Sequence, residues 1–297
     1  MTFLKIIKNK KIKLLVWLTL LLNLIIFVWL IEFYIFSQKT VSILMYHVIS
    51  KEHTNSIYHR TKKEFIKDLD LIKRKNFDVI SFNDLMNNKN IKNNSIIITF
   101  DDMDSSQYEI AYPLLKQYNF KATFFVPTNL INENNWQEIT EISKFKNHQD
   151  QKLFFIESHS HEHKALSMNK NETKSIYFSR VYNDLKESKK IIRKKTNYTP
   201  IILALPYGAG YNNEKLKEIT KKLGFSGIRT SKWGNENLKK IDWYEMKSWP
   251  ILSHTSQLEI EIFAENRKVS RLFMRIYKKL YKLILSNISG YEYLNSN

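Results

Sequence analysis

The sequence predicts an α/β fold: one (β/α) barrel, regular or distorted, behind an N-terminal transmembrane helix. Three observations predict it. From residue 40 onward, short apolar runs alternate with helical stretches, the pattern of parallel βαβ units. Polar and titratable residues follow the ends of those runs, where parallel α/β folds collect their functional groups. Ahead of them a lysine-rich stub leads into an apolar stretch long enough to span a bilayer. An open doubly wound sheet is the alternative architecture. The domain reading is 1–38 as stub and anchor, 39–256 as the catalytic-sized domain, and 257–297 as a basic amphipathic tail.

Each element has its own reason. Lys5, Lys8, Lys10, Lys11 and Lys13 precede an apolar run from Leu14 to Phe36, interrupted by Thr19, Asn23 and Glu32. Trp17, Trp29 and Tyr34 suit membrane interfaces, and the positive flank keeps the N-terminus cytoplasmic. A cleaved signal peptide is the alternative, but no small-residue cleavage site follows. "VSILMY" (41–46) reads as a buried strand, and "TKKEFIKDLDLIKRKN" (61–76) as a helix opened by a Thr61–Glu64 capping box. Strand "SIIITF", helix "QYEIAYPLLKQY", and strands "KATFFVP" and "LFFIE" come next. A long helix near 172–195 leads into strand "IILAL"; a helix near 213–223, "FSGIRT" and "EMKSWPIL" complete the series. In the tail, Val269, Leu272, Phe273, Ile276, Leu280, Leu283 and Ile284 share one helical face opposite five cations. That stripe suits either an anionic membrane or the domain itself.

Composition narrows the function classes. The 297 residues are 43% hydrophobic, enough for one large domain and an anchor. There is no cysteine, so a metal would be held by histidine and carboxylate. The net charge of +18 reflects a general lysine bias more than a dedicated anion site. Nucleic acid is not an expected partner, because the predicted topology places the domain outside the cell.

The residues after the strands carry chemistry. His47 follows "SILMY", Asp101 and Asp102 follow "SIIITF", and His159, His161 and His163 follow "LFFIE". "PYGAG" follows "IILAL", and His254 follows "MKSWPIL". Any one of these is commonly structural; the coincidence of several on one rim points to a site. A zinc-like ion with an open position takes three histidine or carboxylate ligands, which His159, His163 and one aspartate can supply. Adjacent residues at a strand end point in different directions. One aspartate can therefore bind the ion while its neighbour takes the proton of an attacking water, and a histidine protonates the leaving group.

At these residues the chain resembles the NodB-homology polysaccharide deacetylases of carbohydrate esterase family four. "TFDD" (99–102) is similar to the family's first motif and "HSHEH" (159–163) to its second. "DLKESKKIIRKKTNYTPIILALPYG" (184–208) and "GFSGIRT" (224–230) are similar to the stretch ending in its third. The resemblance covers residues 41–255 and implies a distorted (β/α) barrel of that family's type. It implies Asp101 as general base, Asp102, His159 and His163 as ligands of a divalent metal, and the backbone N–H of Tyr207 as an oxyanion donor. Zn²⁺ is the implied ion, with Co²⁺ or Ni²⁺ as alternatives.

Two departures narrow the branch. Met103 stands where the family has glycine, and Ala204 where it has an arginine that orients the base. Asp101 is therefore expected to lack that partner. A fourth motif, an Asp-Trp pair, has its letters in "IDWYEM" (241–246) but an uncertain context. "ILMYHVIS" (43–50) and the arginine-less "PYG" resemble the branch that deacetylates poly-β-1,6-N-acetylglucosamine, a biofilm exopolysaccharide. That branch implies His47 as proton donor, kept as an imidazolium by a nearby carboxylate; the wider family implies His254. The expected partners are the N-acetylglucosamine polymer, the cell membrane and the machinery of exopolysaccharide synthesis. The domain is expected on the outer face of a single-pass anchor, or secreted and surface-attached. The rival readings are a peptidoglycan or chito-oligosaccharide deacetylase, and a silent membrane-anchored glycan-binding protein.

Overall fold

The computed structural model describes residues 10–35, 39–87, 91–92 and 94–265, with side chains in the first stretch at 17–28 and 30. The chain divides into two compact units, one of them Lys39–Glu265. The described part of the other is helix α1, Lys10–Ile35. Its Trp17, Leu20, Leu24 and Phe27 are all exposed. Among the described residues, no helix is long and apolar enough to cross a membrane. The tail helix expected over 267–285 lies outside the described residues.

The larger unit is built on a curled mixed sheet. Its main strands are β1 (Thr40–Tyr46), β5 (Ser95–Phe100), β6 (Ala122–Val126), β7 (Phe154–Ser158), β8 (Ile202–Ala204) and β9 (Gly227–Arg229). They lie side by side in that order, all parallel. A two-residue strand β4, Asp78–Val79, pairs with β5, and a separate ladder joins β2 (Val48–Ser50) to β3 (His59–Thr61). β1, β5, β6 and β7 are buried along their whole length, as strands covered on both faces must be.

The pleat sorts their residues between two cores. Val41, Ile43, Ile97, Phe125, Ile202 and Ala204 face one way. Leu44, Tyr46, Ile96, Ile98, Phe100 and Phe124 face the other, beneath the helices. Each fully buried Ile, Leu or Phe contributes roughly 1.5–3 kcal/mol over leaving it in water, so these strands cannot slip register cheaply.

The barrel is not a regular one. Its first and last strands are joined through the segment 246–250, by the bridge Arg229↔Met246 and by pairing of β11 (Trp249–Pro250) with Leu44 and Met45. Pro250 has no N–H, which limits that ladder. The other edge of the closure, β10 (Glu236–Asn237), runs antiparallel to β1. The sheet therefore curls and closes through short pairings only.

The helices follow their sequence signals. Helix α2 (Lys62–Arg74) begins with the capping box: Thr61 Oγ1 accepts from Glu64 N–H, and Glu64 accepts from Thr61 N–H. Helices α3 (Phe82–Asn87) and α4 (Tyr112–Tyr118) precede β5 and β6, the latter entered through a wide helical turn over Gln107–Ala111. Helices α5 (Glu133–Lys144), α6 (Lys174–Thr196) and α7 (Glu214–Lys222) complete the outer layer. Helix α8 (Gln257–Ala264) buries Ile260, Ile262 and Ala264 and belongs to this unit, so the unit runs past the boundary drawn at 256 from the sequence.

Candidate active site

The carboxyl end of β5 turns sharply. Asp102 and Met103 both take left-handed backbone conformations, with φ of 72° and 51°. Such geometry is costly for residues other than glycine and concentrates at functional sites. The turn sends the two aspartates to different places. Asp101 continues the face of Ile97 and Thr99 into the interior and is 3% exposed. Asp102 stands on the rim with its side chain 42% exposed.

Around Asp102 three acceptors crowd together. His163 Nε2 lies 3.0 Å and His159 Nε2 3.3 Å from Asp102 Oδ1, and the three ligand atoms lie within 4.8 Å of one another. Asp102 Oδ1 is buried and has no hydrogen-bond partner. His159 Nδ1 is 3.0 Å from the carbonyl of Ala204, which needs the proton on Nδ1 and turns Nε2 toward Asp102. A proton or a metal ion must lie between each Nε2 and the carboxylate, because bare lone pairs at this distance would repel it. The donor set of two imidazoles and one carboxylate fits a divalent ion such as zinc. Burial pushes the Asp102 carboxyl up, but His159 and His163 outweigh it and hold the group far below the usual carboxylate range.

The two histidines sit on a strained loop. His159 follows β7, while Ser160 and His163 take φ of 65° and 52°. The Tyr207 ring packs at 5.0 Å from His163, with its hydroxyl 3.4 Å from His163 Nδ1. Tyr207 itself sits at φ 56° in the turn after β8, followed by Gly208 at φ 65°. A Cβ at Gly208 would come within 2.9 Å of Ser231 Cβ, so this turn accepts only glycine there.

Asp101 is not without an orienting partner, contrary to the expectation from Ala204. Arg229, fully buried at the end of β9, forms a short ion pair with Asp101 Oδ1 through Nη2. The same guanidinium lies 4.9 Å from the Phe125 ring and 2.8 Å from Met45 Sδ. The guanidinium that Ala204 cannot supply comes from the neighbouring strand. The other oxygen, Asp101 Oδ2, is 3.9 Å from His159 Nε2 and 4.0 Å from His47 Nε2. Gln107, buried in the wide helical turn, donates to the carbonyls of both His47 and Asp101 and ties the two strand ends together.

The structure thus gathers His47, Asp101, Asp102, His159, His163 and Tyr207. His254 is an exposed side chain in the loop after β11; the rings facing the two aspartates are those of His47, His159 and His163. His161 lies 2.8 Å from Thr128 Oγ1. "IDWYEM" forms a turn in which Asp242 accepts from Tyr244 N–H, and Met246 then bridges β9. The expectation of a standing imidazolium at His47 is corrected as well. Burial lowers its pKa below the ordinary 6.5 and outweighs the opposing pull of Asp101 and Asp102. The sequence reading missed Arg229, Gln107 and the Tyr58 ring, which lies 5.1 Å from His47. Arg229 had a signal: a lone charge in an apolar strand must find an opposite charge at its own depth.

Residues 88–228 match the family model described as polysaccharide deacetylase. The chain carries a polysaccharide deacetylase domain. A poly-beta-1,6-N-acetyl-D-glucosamine N-deacetylase from Staphylococcus aureus is 38% identical to this chain over 139 residues, 44% of this chain and 47% of that protein. One of the same description from Staphylococcus epidermidis is 31% identical over 178 residues, 58% of this chain and 61% of that protein. The chain spans about half the length of the Staphylococcus aureus relatives it matches. In fold, the chain is similar to the Streptococcus pyogenes deacetylase PplD in complex with acetate, at TM-score 0.64 and 22% identity over 77% of this chain and 99% of that one. It is likewise similar to IcaB from Ammonifex degensii, at TM-score 0.62 and 18% identity over 76% and 97% of the two chains.

Proposed function

We propose that this protein is a metal-dependent N-deacetylase that removes acetyl groups from poly-β-1,6-N-acetylglucosamine. One observation carries the reading: Asp102, His159 and His163 converge beside a second, buried aspartate whose free oxygen faces His47. Asp102, His159 and His163 would hold the ion, zinc in this reading, which would supply Lewis-acid polarisation of the amide carbonyl and a lowered pKa for water. Asp101, held by Arg229, takes the proton of the attacking water. The Tyr207 backbone N–H would face the oxyanion. His47 delivers a proton from Nε2 to the departing amine, and acetate and a free amino sugar result. A pKa below the ordinary value makes its imidazolium the stronger acid when formed.

The choice of glycan rests on the relatives' names and on the early "ILMYHVIS" segment. Exposed Tyr58 and Tyr207, packed on His47 and His163, offer the flat faces on which sugar rings stack. We place the domain outside the cell on an N-terminal anchor, supported by the sequence alone, in the apolar run 14–36 and the lysine-rich stub before it.

The test uses the full chain in detergent. Acetate release is measured from poly-β-1,6-N-acetylglucosamine, chitin oligosaccharides and peptidoglycan, before and after chelation and on return of Zn²⁺, Co²⁺ or Ni²⁺. The reading expects chelator-sensitive release, fastest on the β-1,6 polymer. Faster release from peptidoglycan or chitin oligosaccharides would move the substrate. Release that survives exhaustive chelation would remove the metal.

A further inference from the structure

We infer that Asp184 on α6 is a positioning residue that pre-forms the loop carrying His159 and His163 and so sets its affinity for the cation. The inference rests on the metal-binding reading of that loop. Two histidines four residues apart would ordinarily share one face of a helix. Here they sit on a tight loop, and something must hold its backbone.

The holding groups are on the page. The N–H groups of His161 and Glu162 donate to the two oxygens of Asp184 at 3.0 and 2.9 Å. Successive amides aimed at one anion make a nest, filled here by a carboxylate from another element. One turn further along the same face of α6, Ser188 Oγ lies 2.8 Å from Ser158 Oγ. Ser158 Oγ accepts from Ser160 N–H at 3.2 Å, and Ser160 Oγ accepts from His163 N–H at 3.0 Å. These contacts run the length of the loop from His159 to His163.

Asp184 is available for this task. Arg180, one turn before it, is engaged by both carboxylate oxygens of Glu172 and by the carbonyl of Ser167. The Glu162 side chain meets Lys164, Asn129 and the His161 ring, and leaves its own N–H to Asp184. With left-handed conformations at Ser160 and His163, the loop without its anion would have easier conformations to relax into. The cation would then have to order the loop on binding, and its affinity would fall.

The experiment compares wild type, Asp184→Ala, Asp184→Asn and Asp184→Glu as full chains. Zn²⁺ affinity is read by competition with a chromophoric chelator, and Tm is read separately on the chelated protein. Loss of a group that supports metal ligands from behind typically weakens affinity about 10–100-fold. Alanine should show that loss, asparagine an intermediate one because a single acceptor oxygen remains, and glutamate partial rescue. A lowered Tm with unchanged Zn²⁺ affinity would overturn the inference and leave Asp184 a merely structural residue. If alanine does not fold, the asparagine variant decides on the same criterion. If wild type itself fails to bind Zn²⁺ through Asp102, His159 and His163, the metal reading has failed instead.

Discussion

Two buried arginine–aspartate pairs hold this domain together, and they differ in one respect. In the first, Arg60 grips Asp68 through both Nε and Nη2, at 2.9 and 2.7 Å. Its Nη1 donates to the carbonyls of Leu252 and Thr255, and Asp68 also accepts from Tyr46 and Gln257. In the second, Arg229 binds one oxygen of Asp101, its own Nε has no partner, and Asp101 Oδ2 faces two imidazoles near 4 Å. The first pair is saturated and the second is left open. A carboxylate with every lone pair engaged has nothing to offer a substrate; one with a free oxygen aimed at a cleft can take a proton. Burial and charge are the same in both. Unsatisfied valence separates the pair proposed as catalytic from the structural one.

The largest expected effect breaks the open pair. Asp101→Asn keeps the three proposed metal ligands but removes the base; it also leaves Arg229 uncompensated, so the expected cost of about 10²–10⁴-fold in acetate release is read per folded molecule. Zn²⁺ stoichiometry should remain that of wild type. Near-normal turnover in this variant would refute the assignment.

The counterpart in the saturated pair should behave differently. Asp68→Asn leaves Arg60 uncompensated in the core and should destabilise the fold by about 3–5 kcal/mol in urea unfolding. Turnover per folded molecule should be preserved. A variant of normal stability with lost activity would show that the two pairs do not divide the work as described.

The histidines sharpen the same contrast. His47 lies beside the open pair, whereas His254 rides on the loop whose carbonyls Arg60 holds. His47→Ala should reduce deacetylation far more than His254→Ala, by about 10²-fold for loss of an acid group. The reverse order would move the chain toward the wider chitin and peptidoglycan deacetylases.

A third buried carboxylate supplies the smallest effect. Glu157 accepts from Tyr198 and from the N–H groups of Ile201 and Ile202, with no arginine against it. Burial raises its pKa from 4.5 to about 7 against the pull of those hydrogen bonds. A raised folded value means that stability is full below the unfolded pKa and is lost as pH rises through about 7. Glu157→Gln should flatten that decline in Tm between about pH 5 and pH 8. Identical slopes in wild type and variant would remove Glu157 as its source.

What the sequence determined by itself is whatever local chemistry dictates. Apolar runs bounded by helices specify buried parallel strands, and Thr61 with Glu64 specifies where α2 begins. Asp101, Asp102, His159 and His163 stood out as candidates because metal and proton chemistry admits few residue types at strand ends, and the fold brings the four together. Tertiary structure decided the rest. Arg229 and Asp101 are 128 residues apart, and only the curl of the sheet brings the end of β9 over the end of β5. The loss of an arginine at Ala204 therefore reads in sequence as a missing partner, although the fold replaces it from the next strand. The effect of burial on His47, the nest that Asp184 fills, and the inclusion of α8 in the domain share this cause. Each depends on what lies across a packed interface, and such pairings leave no periodicity along the chain.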